Sequence, residues 1–316
     1  MTDLLITGGL GLIGSAIADA ASVAGYSLHI VDDHRACVVD EIPDAPFHDY
    51  LSVEEVAEGE ALDPVRFVLH CAAPVGPVGI LGRRVLDEMI SSTAAAIDIA
   101  ARHRAALVVF SSSEVYGTER PSGSLVVPDT WSHRTEYAVG KIVTEQIARR
   151  HYSETGMPTA IIRPWNVTGP RQAGSKGFVF PRMAAQAVAG DPITVYQPGM
   201  QRRAFMAVDD LAVGVLALLD RPSSDQGWRC SPLDAATPGN AIGMDDLAAM
   251  FALHPLAAAP KVEIVDPAIE HGPSFREAAA GSKLPPDDVA MPGTTDLATM
   301  VNAAMQAAHD RSLTTA

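Results

Sequence analysis

The sequence predicts an α/β protein built on a doubly wound parallel sheet, with a smaller α/β substrate domain towards the C-terminus. Three observations carry this expectation. Short apolar runs alternate with helical periodicity from residue 4 to about residue 162, the pattern of a parallel sheet covered by helices on both faces. The first apolar run, Leu4 to Ile6, passes through the glycines Gly8, Gly11 and Gly14 directly into a helical pattern at Ile13, Ile17, Ala20 and Ala21. Beyond Asn166 glycines and prolines become frequent and the helical stretches short, which marks a change of organisation.

Each element has its own reason. Gly8 permits a tight turn, Gly11 lets backbone amides approach a pyrophosphate, and Gly14 lets the helix pack close to the strand. Leu12 and Ile13 open that helix, whose N-terminal amides and dipole favour an anion. The next run, residues 27–31, ends in Asp32 and Asp33. They stand at about the 20-residue distance at which a carboxylate meets an adenosine ribose diol. A carboxylate there repels a 2′-phosphate, so the pattern predicts NAD rather than NADP. Residues 34–62 are irregular and acidic and predict a loop-rich excursion, with a short strand at 47–50 placing Asp49 and Tyr50 near the adenine. A clearer strand, residues 66–73, ends in Cys71, Ala72 and Ala73, small enough to admit a ligand to the backbone.

A long helix is predicted over residues 84–104, with an apolar face at Val85, Met89, Ile90, Ala94, Ile97 and Ala101. The strand at 106–110 leads into Ser111, Ser112, Ser113 and Glu114. Another helix spans 136–155, and the strand at 158–162 runs into Arg163, Pro164, Trp165 and Asn166. Ligands on such sheets sit outside the carboxyl ends of the strands. The glycine turn, Cys71–Ala73, the serine run and Pro164 all fall on that edge. The predicted organisation is therefore a dinucleotide domain of residues 1–165 and 203–221, and a substrate domain of residues 166–202 and 222–316.

Composition excludes several classes of function. The chain has 316 residues, 47% of them hydrophobic and 19% charged, with a formal net charge of −15. That balance fits a globular fold and disfavours nucleic acid or an anionic membrane as partner. No apolar run is long enough for a membrane span, and no basic stretch precedes an apolar one at the N-terminus, so a cytoplasmic protein is expected. Cys37, Cys71 and Cys230 lack metal-ligand spacing and read as reduced thiols; no metal is expected.

The chemistry is carried by Tyr137 and Lys141, at i and i+4 on one helix face. A phenol ordinarily titrates near 10, and a neighbouring ammonium favours the phenolate. Ser112, on the preceding strand end, is placed to hydrogen-bond the same substrate oxygen.

Together Thr7-Gly8-x-x-Gly11-x-x-Gly14, Asp32, His70-x-Ala72-Ala73, Ser112, Tyr137-x-x-x-Lys141 and Arg163-Pro164-x-Asn166 resemble the extended short-chain dehydrogenase/reductase family, within it the nucleotide-sugar epimerases, dehydratases and decarboxylases. The stretches 169–172, 177–182, 192–196 and 202–210 resemble the same group, so the likeness covers roughly residues 3–220. The resemblance implies bound NAD, a nucleotide-diphosphate sugar as substrate and a homodimer formed through the helices at 84–104 and 137–155. It implies Tyr137 as acid/base with Lys141 as its partner, Ser112 orienting the sugar 4-hydroxyl beside Ser113, and Asn166 and Arg171 on the sugar or diphosphate. Phe178, Val179 and Tyr196 would border the base, and Arg203 would hold the diphosphate, a task that suits a guanidinium.

Ser113-Glu114 stands where dehydratases of this group carry Asp-Glu, so 4,6-dehydration is disfavoured. Glu114 either assists proton transfer or caps the loop. Gln197-Pro198-Gly199 departs from the group's usual acidic glycine turn, and its C-terminal Arg-x-Asp pattern is not recognisable, Arg276 being the nearest substitute. The leading expectation is an NAD-dependent epimerase acting at C4 through a transient ketone. Decarboxylation of a nucleotide-linked uronic acid comes second. A non-catalytic NAD-binding protein comes third, disfavoured by the intact Ser112, Tyr137 and Lys141.

Overall fold

The computed structural model describes residues 2–35, 47–49, 51–59, 63–76, 80, 83–117, 132–172, 177–268 and 281–314. Tyr50, Cys37 and Arg276 lie outside them, and of Asp49 only the backbone is described.

Eight strands form one parallel sheet: β1 (Thr2–Thr7), β2 (Leu28–Val31), β3 (Phe47–Asp49), β4 (Val65–His70), β5 (Ala106–Phe110), β6 (Thr159–Pro164), β11 (Arg229–Ala236) and β14 (Met291–Pro292). Their order is β14-β11-β6-β5-β4-β1-β2-β3. The chain starts in the middle, winds to one edge, then returns to build the other. The crevice at that reversal is where ligands bind in such sheets.

Strand periodicity of two separates the two faces. Leu4 and Ile6 point to one side with α1 (Leu12–Val23) and α6 (Val208–Leu219), through Ile17, Ala21, Leu211 and Val215. Leu5, Val68, Leu107 and Val109 point to the other, beneath Ala96, Ile99 and Ala100 of α3 (Val85–His103) and Ala148 of α4 (His133–Thr155). α3 carries Asp87 and Glu88 in its first turn and Arg102 and His103 in its last, the arrangement that complements its dipole. The Ser132 hydroxyl accepts from Thr135 N and so caps α4. A further helix, α2 (Val53–Glu58), begins at a Ser52/Glu55 capping box inside the stretch expected to be loop.

A second core gathers Phe180, Met183, Ile193, Val195, Phe205, Leu247, Phe251, Met300 and Met305. It belongs to α5 (Val179–Ala189), β8 (Ile193–Tyr196), α7 (Met244–Ala252) and α8 (Leu297–Thr314). Short pairs complete this part: β7 (Val167–Thr168) with β10 (Met206–Ala207), β9 (Arg202–Ala204) with β12 (Ala241–Gly243), and β8 with β13 (Val262–Val265). One boundary is corrected. Residues 222–316 do not all lie with the substrate core, because β11 and β14 within them extend the main sheet. Pro232, Asp234 and a left-handed Cys230 break the strand-like pattern of β11, which hides it from periodicity.

Candidate active site

One cleft of about 550 Å³ runs along the carboxyl ends of the strands, from Gly8, Gly11 and Asp32 past Cys71–Ala73, Ser112 and Tyr137 to Phe178, Tyr196 and Arg203. Its first half is backbone. Gly8 has φ +67°, and a Cβ there would lie 2.7 Å from the Ala72 Cα. At Gly14 a Cβ would lie 2.3 Å from the Gly8 carbonyl oxygen. Both positions therefore require glycine, and the turn closes against the end of β4. Gly11 precedes the first turn of α1 in extended conformation, so the amides of Leu12, Ile13 and Gly14 face the cleft unpaired by the helix itself.

Asp32 ends β2 and is buried. Its Oδ2 accepts from Leu10 N at 3.0 Å and its Oδ1 from His34 N at 2.9 Å. Each carboxylate oxygen keeps a further lone pair, so Asp32 both fastens the glycine turn and can receive a diol. Burial would raise the Asp33 carboxyl, but Arg35 outweighs it and lowers it. Arg35 in turn pairs with Glu88, as does Arg83. This cradle of glycines, helix amides and a diol-facing carboxylate fits a dinucleotide.

The catalytic candidates converge half-way along. Ser112, Ser113, Glu114, Tyr137, Lys141, Pro164 and Asn166 all line the cleft. The geometry of the Tyr137–Lys141 pair differs from expectation. Lys141 Nζ lies 5.8 Å from the Tyr137 ring centroid and donates to Phe110 O at 2.6 Å. Burial raises the Tyr137 phenol above its ordinary range, against the lowering effect of Ser112, and Glu114 raises it further. Burial also brings Lys141 down to about 8. The ammonium beside the phenol is thus one turn away in this state, held by a strand-end carbonyl.

Beyond Tyr137 the cleft becomes cationic. Burial opposes the charge on Glu114, but Arg134 and Lys283 outweigh it and hold its pKa at about 2. Arg134 Nε lies 2.5 Å from Glu114 Oε2, and Lys283 Nζ lies 3.1 Å from Oε1. The Lys283 side chain is only 4% exposed and does not itself line the cleft; its ammonium is paired with Glu114. Burial lowers Lys283 to about 8 and Arg203 to about 10. Lys283 comes from the unread C-terminal segment. That segment is strapped to β9 by Ser282 Oγ accepting from Arg202 N at 2.8 Å and by Lys283 N donating to Arg202 O at 3.0 Å. Arg203 also donates to Gly281 O. No local motif announces Lys283; its only sequence signal is a lysine in a chain with few.

The remaining substrate candidates divide. Phe178, Val179 and Tyr196 line the far end, with the Arg182 guanidinium 4.5 Å from the Tyr196 ring centroid. Asn166 Nδ2 donates to Ala204 O at 3.1 Å, which ties the β6 exit to β9. Arg171 is corrected: it pairs with Asp19 on α1 at 2.5 Å, is exposed and does not line the cleft. Arg171 sits in a turn closed by Gln172 N donating to Gly169 O at 3.0 Å, and its neighbour Gln172 faces in. Among the described residues no helix is long and apolar enough to cross a membrane, and no group of three His, Cys, Asp or Glu side chains is placed to hold a metal ion.

A family model described as NAD dependent epimerase/dehydratase family matches residues 4–229. The chain belongs to that family. NAD is its cofactor, and the residues of the first half of the cleft fit it. Among curated proteins the chain is similar to UDP-glucuronic acid decarboxylase 1 of Xenopus tropicalis, 28% identical over 247 residues, covering 74% of this chain and 56% of that protein. The chain thus spans about half the length of such relatives. It is also similar to a UDP-N-acetyl-alpha-D-glucosaminuronate decarboxylase of Bacillus cytotoxicus, 28% identical over 230 residues, 68% of this chain and 70% of the relative. Among solved structures, a UDP-glucose 4-epimerase of Thermotoga maritima has a TM-score of 0.80 at 18% identity, over 99% of this chain and 100% of that one. MoeE5 in complex with UDP-glucuronic acid and NAD has a TM-score of 0.78 at 20% identity, over 98% of this chain and 99% of that one. These two likenesses establish the shared two-domain fold.

Proposed function

We propose that this protein decarboxylates a nucleotide-linked uronic acid after oxidising its C4. The observation that carries this reading is the cationic cluster around Glu114: Arg134 and Arg203 line the cleft near Tyr137, and the buried Lys283, paired with Glu114 but not itself lining the cleft, adds a third positive charge. The diphosphate of any nucleotide sugar accounts for Arg203, and a neutral hexose ring offers no further anion to the rest of the cluster; a uronic acid adds a carboxylate one bond from C5. The decarboxylase names of the relatives support the same choice.

Bound NAD supplies the acceptor, and later the donor, of the two electrons exchanged with C4. Ser112 orients the 4-hydroxyl and Tyr137 takes its proton. Burial holds that phenol protonated, so charge must draw the proton off, and Lys141 is the cation of this chain one turn away. The C4 ketone makes the substrate a β-keto acid. Its C5–C6 bond then breaks, carbon dioxide leaves, and the electron pair passes to the ketone oxygen, held by Tyr137 and Ser112. A proton returns to C5, and C4 is reduced as Tyr137 gives its proton back. Glu114, ionised down to about pH 2, fixes the cations rather than serving as base. Arg203 holds the diphosphate, and Phe178, Val179 and Tyr196 border the base.

Epimerisation at C4 begins with the same oxidation and needs no carboxylate, which is why the cationic cluster moves the reading to decarboxylation. Incubation of the purified protein with neutral and acidic nucleotide sugars, read by mass spectrometry and NMR, tests it. Loss of carbon dioxide from the acid supports the proposal. An isomer of unchanged mass returns the assignment to epimerisation, loss of water to dehydration, and no turnover to a binding protein. Assembly belongs to the same proposal. Ile90, Ala94, Ile97 and Ala101 on α3 and Val139, Val143 and Ile147 on α4 keep partly exposed apolar stripes, which favours a homodimer; light scattering that returns a monomer mass at micromolar concentration contradicts it.

A further inference from the structure

Behind the cleft lies a buried polar chain that no step above uses. Glu145 is the third member of the α4 face that carries Tyr137 and Lys141, at i, i+4 and i+8. Its side chain is 0% exposed. Oε1 accepts from Ser111 Oγ at 2.6 Å and from Arg163 Nε at 2.7 Å; Oε2 accepts from Arg163 Nη2 at 2.7 Å and from Arg149 Nη1 at 3.0 Å. Arg163 Nη1 donates to the Tyr116 hydroxyl at 2.7 Å, which donates to Asp234 Oδ2 at 2.9 Å. Asp234 Oδ1 accepts from Trp165 Nε1 at 2.9 Å. The Tyr116 ring stacks on Trp165, centroids 5.8 Å apart, and the Arg163 guanidinium lies 4.8 Å from the Tyr116 centroid. Burial opposes the charge of both Glu145 and Arg163, and their pairing outweighs it in each.

The members fall beside the reacting side chains. Ser111 and Tyr116 bracket the loop that carries Ser112, Ser113 and Glu114. Trp165 precedes Asn166, and Glu145 lies one turn beyond Lys141. A fully buried ion pair stabilises a fold no better than apolar residues of the same volume. Stability therefore gives no reason for charges here, whereas direction does: a bidentate pair fixes two segments in distance and angle. A misplacement of about 1 Å at a reacting group costs about 10²-fold in rate.

We propose that Glu145 and Arg163 are positioning residues, which lock the loop carrying Ser112 and Glu114 against the helix carrying Tyr137 and Lys141 through Ser111 and Tyr116. This rests on the reading of Ser112, Tyr137 and Lys141 as the oxidising centre and of Glu114 as the residue that holds the cations beside it. Three readouts separate positioning from simple stability. In Glu145→Leu/Arg163→Met, which replaces the pair by apolar side chains, kcat falls about 100-fold while KM and the NAD dissociation constant stay within threefold. A rising fraction of turnovers releases oxidised sugar and leaves reduced cofactor, seen as nicotinamide absorbance. Amide exchange at residues 112–117 accelerates at least about tenfold, although Tm changes little. Tyr116→Phe removes one hydroxyl from the chain and gives the same signature at about tenfold in kcat, which covers the case in which the double variant does not fold. Wild-type kcat and unchanged exchange in the variant that folds overturn the proposal. If the wild-type protein turns over no nucleotide sugar, the functional reading fails, and the exchange measurement still decides whether the pair locks the loop.

Discussion

The two ends of the cleft are built by opposite means. The dinucleotide end is contiguous in sequence: Gly8, Gly11, Gly14 and Asp32 lie within the first strand–helix–strand unit, and their work is done by backbone shape and one carboxylate. The substrate end is assembled from four distant places: Glu114 after β5, Arg134 at the start of α4, Arg203 on β9 and Lys283 from the C-terminal segment. The first end must fit a ligand common to the family and so follows a local pattern. On the proposed function the second must fit one particular sugar, and side chains from any segment that passes can supply the charge.

The largest effect should come where the two ends meet. Tyr137→Phe should lower kcat by about 10²–10⁴-fold, with NAD affinity nearly unchanged by calorimetry, because only a hydroxyl is lost. Turnover close to wild type would refute the assignment.

Lys283→Met then separates the halves. Lys283 bears on the substrate through Glu114 and the charge of the cluster, so its loss should fall below the roughly 1.5–3 kcal/mol of a direct charge-assisted contact: KM for a uronic acid substrate should rise about tenfold while NAD affinity holds. The pH dependence follows from the same group. Burial places Lys283 at about 8, below an ordinary lysine. It is charged below that pH and loses its proton as pH rises through it, so KM for the acid should climb above about pH 8. Lys141 titrates in the same range and should act on kcat. Lys283→Arg, which stays charged, should abolish the rise in KM and leave the kcat limb in place; a KM rise that survives this change would contradict the assignment of Lys283.

At the other end, Asp32→Ala should weaken NAD about tenfold and NADP much less, narrowing the preference; parallel titration of both cofactors checks this. The smallest effect is expected at Arg171→Ala, within about twofold in KM, since an exposed pair with Asp19 is worth little. A large rise in KM would show that the side chain swings into the cleft.

The same contrast explains what could be read in advance. The alternation of runs that became β1, β2, β4, β5 and β6 is legible because these strands are mostly buried on both faces and α1, α3 and α4 on one. Tyr137, Lys141 and Ser112 are legible because spacing on one helix and one strand end places them. β11 is not, since Pro232, Asp234 and the left-handed Cys230 interrupt its pattern, yet β6 supplies the missing partner. α2 was readable from Ser52 and Glu55 alone. Lys283 was not, because its meaning lies in the strap to Arg202 and in Glu114, some 170 residues earlier in the chain. Arg171 misled because a motif match fixes a residue's place on the chain, not the direction of its side chain.

The most direct test is to give the enzyme a nucleotide-linked uronic acid labelled with ¹³C at the carboxyl carbon, together with its neutral hexose counterpart. The cationic cluster predicts that the acid is consumed with release of labelled carbon dioxide and that the hexose is left unchanged. An isomerised hexose, or an acid epimerised with its label retained, would contradict it.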